Sequence, residues 1–201
     1  PPGGPNPPAS RRPGGAGGRG SPPAETGTLL LEFGTLSKLT GKPVYYDKAK
    51  RALVATFERR SKIGLVGSAI DVETGEWANR NSHVGGGIDS YYEYLLKCWK
   101  LFGDEDCKRM WEQSVGPMNR CLGDELGDGE LWYGHADMDT GARGASQYGA
   151  LDAFLPAVLA LAGDIDRASR LQKAGLMMWR PPRLGTRGAR SREMGVGARG
   201  Y

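Results

Sequence analysis

Hydrophobic residues recur at intervals of three and four along the central part of the chain, the spacing at which side chains share one face of an α-helix. The pattern predicts six helices, over residues 28–39, 43–60, 89–102, 104–122, 146–161 and 164–179. The first is apolar on nearly every side, which predicts a buried helix. We expect Gly116-Pro117 to kink or break the fourth helix and Pro156 to bend the fifth, because proline removes a backbone donor.

The six predicted helices fall into three pairs. Gly41, Gly103 and Gly163 each end one helix just before the next begins, at intervals of roughly 60 residues, as a repeated helical hairpin would require. Hairpins arranged in a ring form an α/α toroid, but three pairs do not close one. The sequence therefore predicts an all-α, incomplete toroid in which each pair leaves an apolar flank exposed.

Two stretches depart from the helical pattern. Residues 70–77 alternate around a Thr-Gly turn, which predicts a short β-hairpin near 70–78, and residues 123–145 read as a loop with a brief strand at 131–133. Residues 1–23 hold eight Pro and seven Gly, so we expect a disordered segment there. The predicted domain covers 24–179, and 180–201 forms a disordered basic tail.

The composition and the distribution of charge limit the kinds of binding partner that we expect. The net charge is +4, but arginines are concentrated in the two end segments, and the predicted domain is mildly acidic. We therefore expect no nucleic-acid partner. No apolar run is long enough to cross a membrane. The three cysteines lack metal-site spacing, so we assign no metal ligand, and we favour free, buried thiols over a possible Cys98–Cys107 disulfide. His83 and His135 are interpreted as loop residues.

The candidate chemistry lies where a run of three glycines, residues 85–87, leads into the third helix. Asp89 and Glu93 are four residues apart, so both carboxylates lie on one face of that helix and could contact a sugar or a cation. The alternative is structural: Ser90 and Glu93 fit a capping box. Glu32 lies in the apolar first helix with no cation one turn away, so it either serves a site or lies at a solvated edge.

Several segments resemble glycoside hydrolase family 47, the α-1,2-mannosidases of the secretory pathway. The strongest is GIDSYYEYLLK at 87–97; LLLEFGTLSKLTG at 29–41, the predicted hairpin and residues 153–166 also fit. The resemblance covers about 24–179, a partial domain. Gly87, two residues before Asp89, is typical of the ER-degradation-enhancing α-mannosidase-like subfamily. The resemblance implies an (αα)₇ barrel, of which this chain would supply an incomplete part.

The resemblance also implies roles for the candidate residues. Asp89 matches a catalytic acid/base position, and Glu93 and Glu32 match acids that bind substrate. It implies an inverting, Ca²⁺-dependent hydrolysis that trims mannose from high-mannose N-glycans on misfolded glycoproteins. The expected location is the endoplasmic reticulum, in the lumen or associated with the membrane, with a thiol oxidoreductase as a further partner. The family's calcium-binding threonine and its other catalytic carboxylates fall outside this chain.

We therefore expect a fragment that is inactive alone, with end sequences that arise from misread exon boundaries or a shifted frame. Two other classes of function stay open. One is a lectin-like module that binds mannose glycans without cleaving them. The other is a helical-repeat interaction scaffold, in which Asp89 and Glu93 serve only to cap a helix.

Overall fold

A computed structural model describes residues 20–125 and 129–179 of the chain. The helices are α1 (Pro23–Thr26), α2 (Leu30–Thr40), α3 (Val44–Glu58), α4 (Asp89–Phe102), α5 (Glu105–Leu122), α6 (Leu155–Ala162) and α7 (Ile165–Trp179), with a 3₁₀ turn at Ala150–Phe154 before α6. The strands are β1 (Ala69–Ile70), β2 (Trp77–Asn79), β3 (Asn81–Ser82), β4 (Gly123–Glu125), β5 (Leu131–Tyr133) and β6 (Ala136–Asp137).

The three predicted hairpins are present as α2–α3, α4–α5 and α6–α7. Gly41, Gly103 and Gly163 end the first helix of each pair with φ of 69°, 68° and 95°, in the left-handed region that only glycine adopts without strain. α4 contacts both α2 and α6, so these three helices form one layer, and each is backed by its own partner. The all-α class and the repeated hairpin are confirmed.

Helix α4 is the centre of the core. It carries four large buried side chains, Tyr91, Tyr92, Leu95 and Leu96, and packs against α1, α2, α5 and α6. α5 adds buried residues at helical spacing, among them Met110, Trp111, Ser114 and Met118. Because α4 is covered on several sides, the residues at its first turn are held in a fixed orientation.

The β content exceeds the hairpin and the brief strand that the sequence predicts, and the strand predicted at 131–133 is confirmed as β5. β1 and β2 form that hairpin, but β3 also pairs with β6, and β4 with β5, each as an antiparallel two-stranded ladder. Residues 123–145 are therefore not a simple loop. The β3–β6 pairing joins strands more than 50 residues apart, which local alternation does not reveal.

Two of the turns are stabilised by the same type of hydrogen bonding, from backbone N–H groups to an Asp side chain. In the β1–β2 hairpin, Oδ1 of Asp71 accepts the N–H groups of Glu73 and Thr74, at 2.9 and 3.1 Å. After β6, Oδ1 of Asp137 accepts those of Asp139 and Thr140, at 3.1 and 2.9 Å. An Asp side chain that binds backbone two and three residues on stabilises a tight turn.

Both proline predictions are wrong in detail. α5 runs unbroken through Pro117, whose ring packs on Gly64; a Cβ on Gly64 would lie 2.6 Å from the Pro117 Cγ. Pro156 does not bend a long helix, because α6 begins only at Leu155, and proline is well tolerated in a first helical turn.

The first predicted helix is not buried. Within α2 only Leu30 and Gly34 are buried, while Phe33, Leu36 and Leu39 are exposed. The other end pair is similar, with exposed Leu161, Ile165 and Leu176 on α6 and α7. The end pairs have a neighbouring pair on one side only among the described residues, and the flanks predicted to be exposed are exposed.

Four residues of the segment predicted to be disordered, 20–23, have defined structure. Ser21 exchanges two backbone hydrogen bonds with Ile70, of 2.8 and 2.9 Å, and Pro23 is buried at the start of α1. The rest of that segment, and the predicted tail at 180–201, lie outside the described residues. No helix in the described part of the chain has the length and apolar character needed to cross a bilayer.

Cys98 and Cys107 form a disulfide, so the preference for free thiols is wrong. The two residues lie on α4 and α5, on either side of the Gly103 turn, and both are buried with Cα atoms 5.9 Å apart. This distance is normal for a disulfide and follows from the tight turn between antiparallel helices. Cys121 is a free thiol.

We predict that replacing Cys98 and Cys107 together by Ser lowers the free energy of unfolding by about 2–3 kcal/mol, because the bond closes a short loop in the unfolded chain. Urea denaturation measures the difference. Cys121→Ser is the control and should change stability far less. Equal stability of the double variant and the oxidised wild type would contradict the prediction.

Candidate functional site

The glycine run forms a loop that delivers Asp89 to the first position of α4. The carbonyl of Gly85 accepts the N–H groups of Ile88 (3.1 Å) and Asp89 (3.0 Å). Gly87 has φ of +97°, which disfavours any residue with a side chain. The loop therefore turns sharply and begins the helix at the candidate carboxylate.

Gly85 is constrained for a different reason, the lack of space around it. A Cβ on Gly85 would lie 2.8 and 2.9 Å from the two carboxyl oxygens of Asp152, and a Cβ on Gly86 would lie 2.7 Å from the Cδ1 of Leu151. The 3₁₀ turn before α6 thus packs directly on this loop. We call residues 85–87 the glycine loop.

The capping-box alternative is not realised. The residue before α4 is Ile88, and no side chain caps the helix start. The Glu93 carboxylate instead forms an ion pair with Lys97, one turn further along α4. Glu93 therefore does not cap the helix start. It lies one turn from Asp89 on the same face of α4, with the Lys97 ammonium group beside it.

Asp89 is partly buried, and this determines its chemistry. Burial raises the pKa of its carboxyl above the usual range, because charge is poorly solvated there, and the negative charge of Glu93 adds to the rise. Hydrogen bonds from the backbone N–H groups of Ser90 and Gly87 oppose it. The carboxyl thus keeps its proton to a higher pH than a free Asp.

Glu32 lies on the surface of α2 rather than in a buried helix. Its Oε1 accepts the hydroxyl of Tyr94 at 2.6 Å, a contact that joins α2 to α4. Burial and this hydrogen bond raise the pKa of Tyr94, and the charges of Glu32 and Glu93 both contribute. Glu32 therefore lies at a solvated edge of α2, and the hydroxyl of Tyr94 donates a hydrogen bond to its carboxylate.

The three predicted acids thus lie on adjoining parts of one surface. Glu32 and Glu93 both act on the Tyr94 hydroxyl, and Glu93 acts on Asp89. We call Glu32, Tyr94, Glu93 and Asp89 the acid face of α2 and α4. It is a polar surface with one exposed acid at one end and one partly buried acid at the other.

Asp152 is the residue that sequence reasoning missed. It follows an exposed leucine in the 3₁₀ turn, is only 9% exposed, and accepts the N–H of Gly149 on Oδ2 at 2.7 Å. Burial raises the pKa of its carboxyl, and the charge of Asp89 raises it further. A signal existed in the sequence: an acid among apolar residues of a predicted helix, the same signal that drew attention to Glu32.

The two loop histidines form a stacked pair next to the glycine loop. The rings of His83 and His135 are 4.6 Å apart at 21°. Nδ1 of His83 accepts the N–H of Gly85 at 3.1 Å, and Asn81 donates to Nδ1 of His135 at 2.9 Å. Burial, and secondarily the neighbouring His135, lower the pKa of His83 to about 4.

His83 should make the fold sensitive to acid. A histidine whose pKa falls from 6.5 in the unfolded chain to about 4 in the folded one contributes stability that is complete above pH 6.5 and is lost as the pH falls through 4. We predict that the free energy of unfolding falls less steeply between pH 6.5 and 4 in His83→Asn, a variant that retains an acceptor for the N–H of Gly85. Chemical denaturation at a series of pH values measures it, and identical slopes would contradict it.

The described residues do not form a metal site. One group of three possible ligands lies within 4.8 Å, Cys98, Asp104 and Cys107, and its two cysteines are joined in the disulfide. Ca²⁺ prefers six to eight oxygen ligands, and the acids of the acid face do not converge to that degree within the described residues. We therefore assign calcium no ligand and no chemical step here.

Comparison with known proteins agrees with this geometry. The sequence matches Glycosyl hydrolase family 47 over residues 8–185. It is 40% identical to Alpha-mannosidase I MNS4 of Arabidopsis thaliana over 154 residues, which are 77% of this chain and 24% of that protein. It is also 40% identical to human ER degradation-enhancing alpha-mannosidase-like protein 2 over 148 residues, 73% of this chain and 25% of that protein.

A mouse Mannosyl-oligosaccharide 1,2-alpha-mannosidase IB is 35% identical over 161 residues, 76% of this chain and 23% of that protein. The chain thus spans about a quarter of the length of the curated relatives it matches. The solved structure of an alpha-1,2-mannosidase from Trichoderma reesei superposes with a TM-score of 0.61 at 21% identity, over 80% of this chain and 34% of that one. At this identity the structure supports the fold alone.

Proposed function

Because the chain belongs to glycosyl hydrolase family 47, we propose that it supplies part of an α-mannosidase domain that removes terminal α-1,2-linked mannose from N-glycans. Asp89 is the catalytic residue on this part, and Glu93 and Glu32 contact the sugar. The observation that carries the proposal is the placement of Asp89, a partly buried carboxyl at the mouth of α4 that the glycine loop holds in one orientation.

The reaction requires such a group. Inverting hydrolysis uses one carboxyl to protonate the leaving oxygen and another to activate water on the opposite face of the sugar. A carboxyl whose pKa is raised by burial can act in such proton transfer nearer to neutral pH than a solvated one. Glu93 and Glu32 offer acceptors for sugar hydroxyls, with Lys97 and Tyr94 as neighbouring donors.

We further propose a role in the degradation of misfolded glycoproteins in the endoplasmic reticulum, in its lumen or at its membrane. The relatives named for enhancing ER degradation support this. The Cys98–Cys107 disulfide suits an oxidising compartment, and an ER thiol oxidoreductase is a further proposed partner, which would act while the bond forms and before folding buries it. The substrates would be high-mannose N-glycans on misfolded glycoproteins.

A lectin-like module is the second candidate. It is favoured by the acid face itself, which is an open surface of donors and acceptors with one exposed acid, Glu32. Binding of a glycan needs such a surface but no proton transfer. Hydrolysis requires proton transfer at the Asp89 carboxyl, whereas glycan binding does not.

We predict that Asp89→Asn, in the longer protein that contains this chain, lowers mannose release from a Man₈ or Man₉ glycan by about 10²–10⁴-fold, the contribution typical of a general acid or base. Glycan binding should change little, because Asn is of the same size. Released mannose and binding isotherms measure the two effects. Asp166→Asn, a solvent-exposed change at the start of α7, is the control. Unchanged turnover in the Asp89 variant would refute the catalytic assignment.

We predict that the 201-residue chain alone releases no mannose from these glycans. The described hairpins leave apolar flanks on both end pairs, so they do not enclose the acid face, and inversion needs a second carboxyl across the sugar. Measurable mannose release by the chain would contradict this. Mannose should still raise its melting temperature if the acid face binds sugar, whereas a pure interaction scaffold would show no shift.

A further inference from the structure

Asp152 is held against the loop that orients the candidate catalytic residue. Its carboxyl accepts the N–H of Gly149 and lies where a side chain of residue 85 would project, 2.8 and 2.9 Å from the position of a Cβ on Gly85. The carbonyl of the same Gly85 accepts the first N–H groups of α4, including that of Asp89. One residue, Gly85, therefore links the Asp152 carboxyl to the backbone of Asp89.

We propose that Asp152 is a positioning residue for Asp89, which fixes the glycine loop by packing on Gly85. The catalytic consequence rests on the proposed function, because it gives Asp89 its role in hydrolysis. The pairing of the two residues is independent of that function and is tested separately.

The charges of the two residues are coupled. Two neighbouring carboxylates do not both hold their charge easily. Burial raises the pKa of the Asp152 carboxyl, and the charge of Asp89 raises it further.

Other titratable groups near Asp89 and Asp152 also affect the protonation of these two carboxyls. Glu93 acts on Asp89 and is itself paired with Lys97. Burial raises the pKa of the Tyr148 hydroxyl, and the charge of Asp152 adds to the rise. His83 accepts the N–H of Gly85 with a neutral ring at pH 7, so it adds no charge there.

A double-mutant cycle tests the packing. Gly85→Ala should lower the melting temperature, because the new methyl group meets the Asp152 carboxyl, and the drop should be smaller in an Asp152→Ala background. Gly87→Ala is the matched control: its cost comes from φ of +97° and should be the same in both backgrounds. If Gly85→Ala fails to fold, recovery in the double variant supports the proposal. Equal drops, or failure in both backgrounds, overturn it.

Carboxyl ¹³C titration of the 201-residue chain tests the pairing. Asp89→Asn should lower the titration midpoint of Asp152 by about 1 pH unit, the size at which two groups titrate as a pair. Asp166→Asn, beyond the far end of α6, should not move that midpoint. An Asp152 titration midpoint that is the same in the wild type and in Asp89→Asn would overturn the proposal.

Turnover by the longer protein tests the catalytic consequence. Asp152→Asn keeps an acceptor for Gly149 and fills the same space, so it should retain turnover within about threefold. Asp152→Ala leaves a gap under the glycine loop and should lower kcat at least tenfold. Equal kcat in the Asn and Ala variants would overturn the positioning role. A protein that releases no mannose in any form would refute the proposed function, and the titration and the packing cycle would then decide the pairing alone.

Discussion

The close packing of the 3₁₀ turn against the glycine loop is the constraint on which the candidate site depends. Asp152 occupies the space that a side chain at position 85 would need, so this glycine is set by a contact more than 60 residues away. Gly87 is set by its own backbone angle. Together they make a sharp entry into α4 and give Asp89 one orientation, which a proton-transfer group requires.

The four acids near this entry differ because their surroundings differ. Glu32 is exposed and hydrogen-bonded to Tyr94, and Glu93 is neutralised by Lys97. Asp89 and Asp152 are less solvated, and burial raises the pKa of both. A series of carboxylates with graded burial is what separates groups that bind a sugar from groups that exchange protons with it.

The repeated hairpin explains the remainder of the architecture. Each pair has one glycine turn, and α2, α4 and α6 lie side by side, so the middle pair is covered on both flanks and buries its apolar residues. The end pairs expose theirs. This arrangement suits a family whose domains are rings of such pairs. The chain spans about a quarter of the length of the curated family members that it matches. The disulfide joins the two helices of the middle pair, on which both neighbours pack.

The predictions that held were those set by local chemistry. Helical spacing and three glycine turns determined the hairpins, and the Thr-Gly turn determined the first β-hairpin, because periodicity and positive φ are properties of short segments. Helical spacing after the glycine run also located α4 and its first residue. The repeat of the hairpins predicted the partial toroid, and family resemblance added the number of pairs in the complete ring.

What only the tertiary structure decided were the contacts between distant segments. The exposure of α2, the β3–β6 pairing, the Cys98–Cys107 bond and the reason for Gly85 all depend on which elements meet in space. The importance of Asp152 arises in the same way: its neighbours in sequence are apolar, and only folding brings it to Gly85 and Asp89. Sequence determines where a side chain lies on its own helix, whereas burial and charge, which set its chemistry, come from elements elsewhere in the chain.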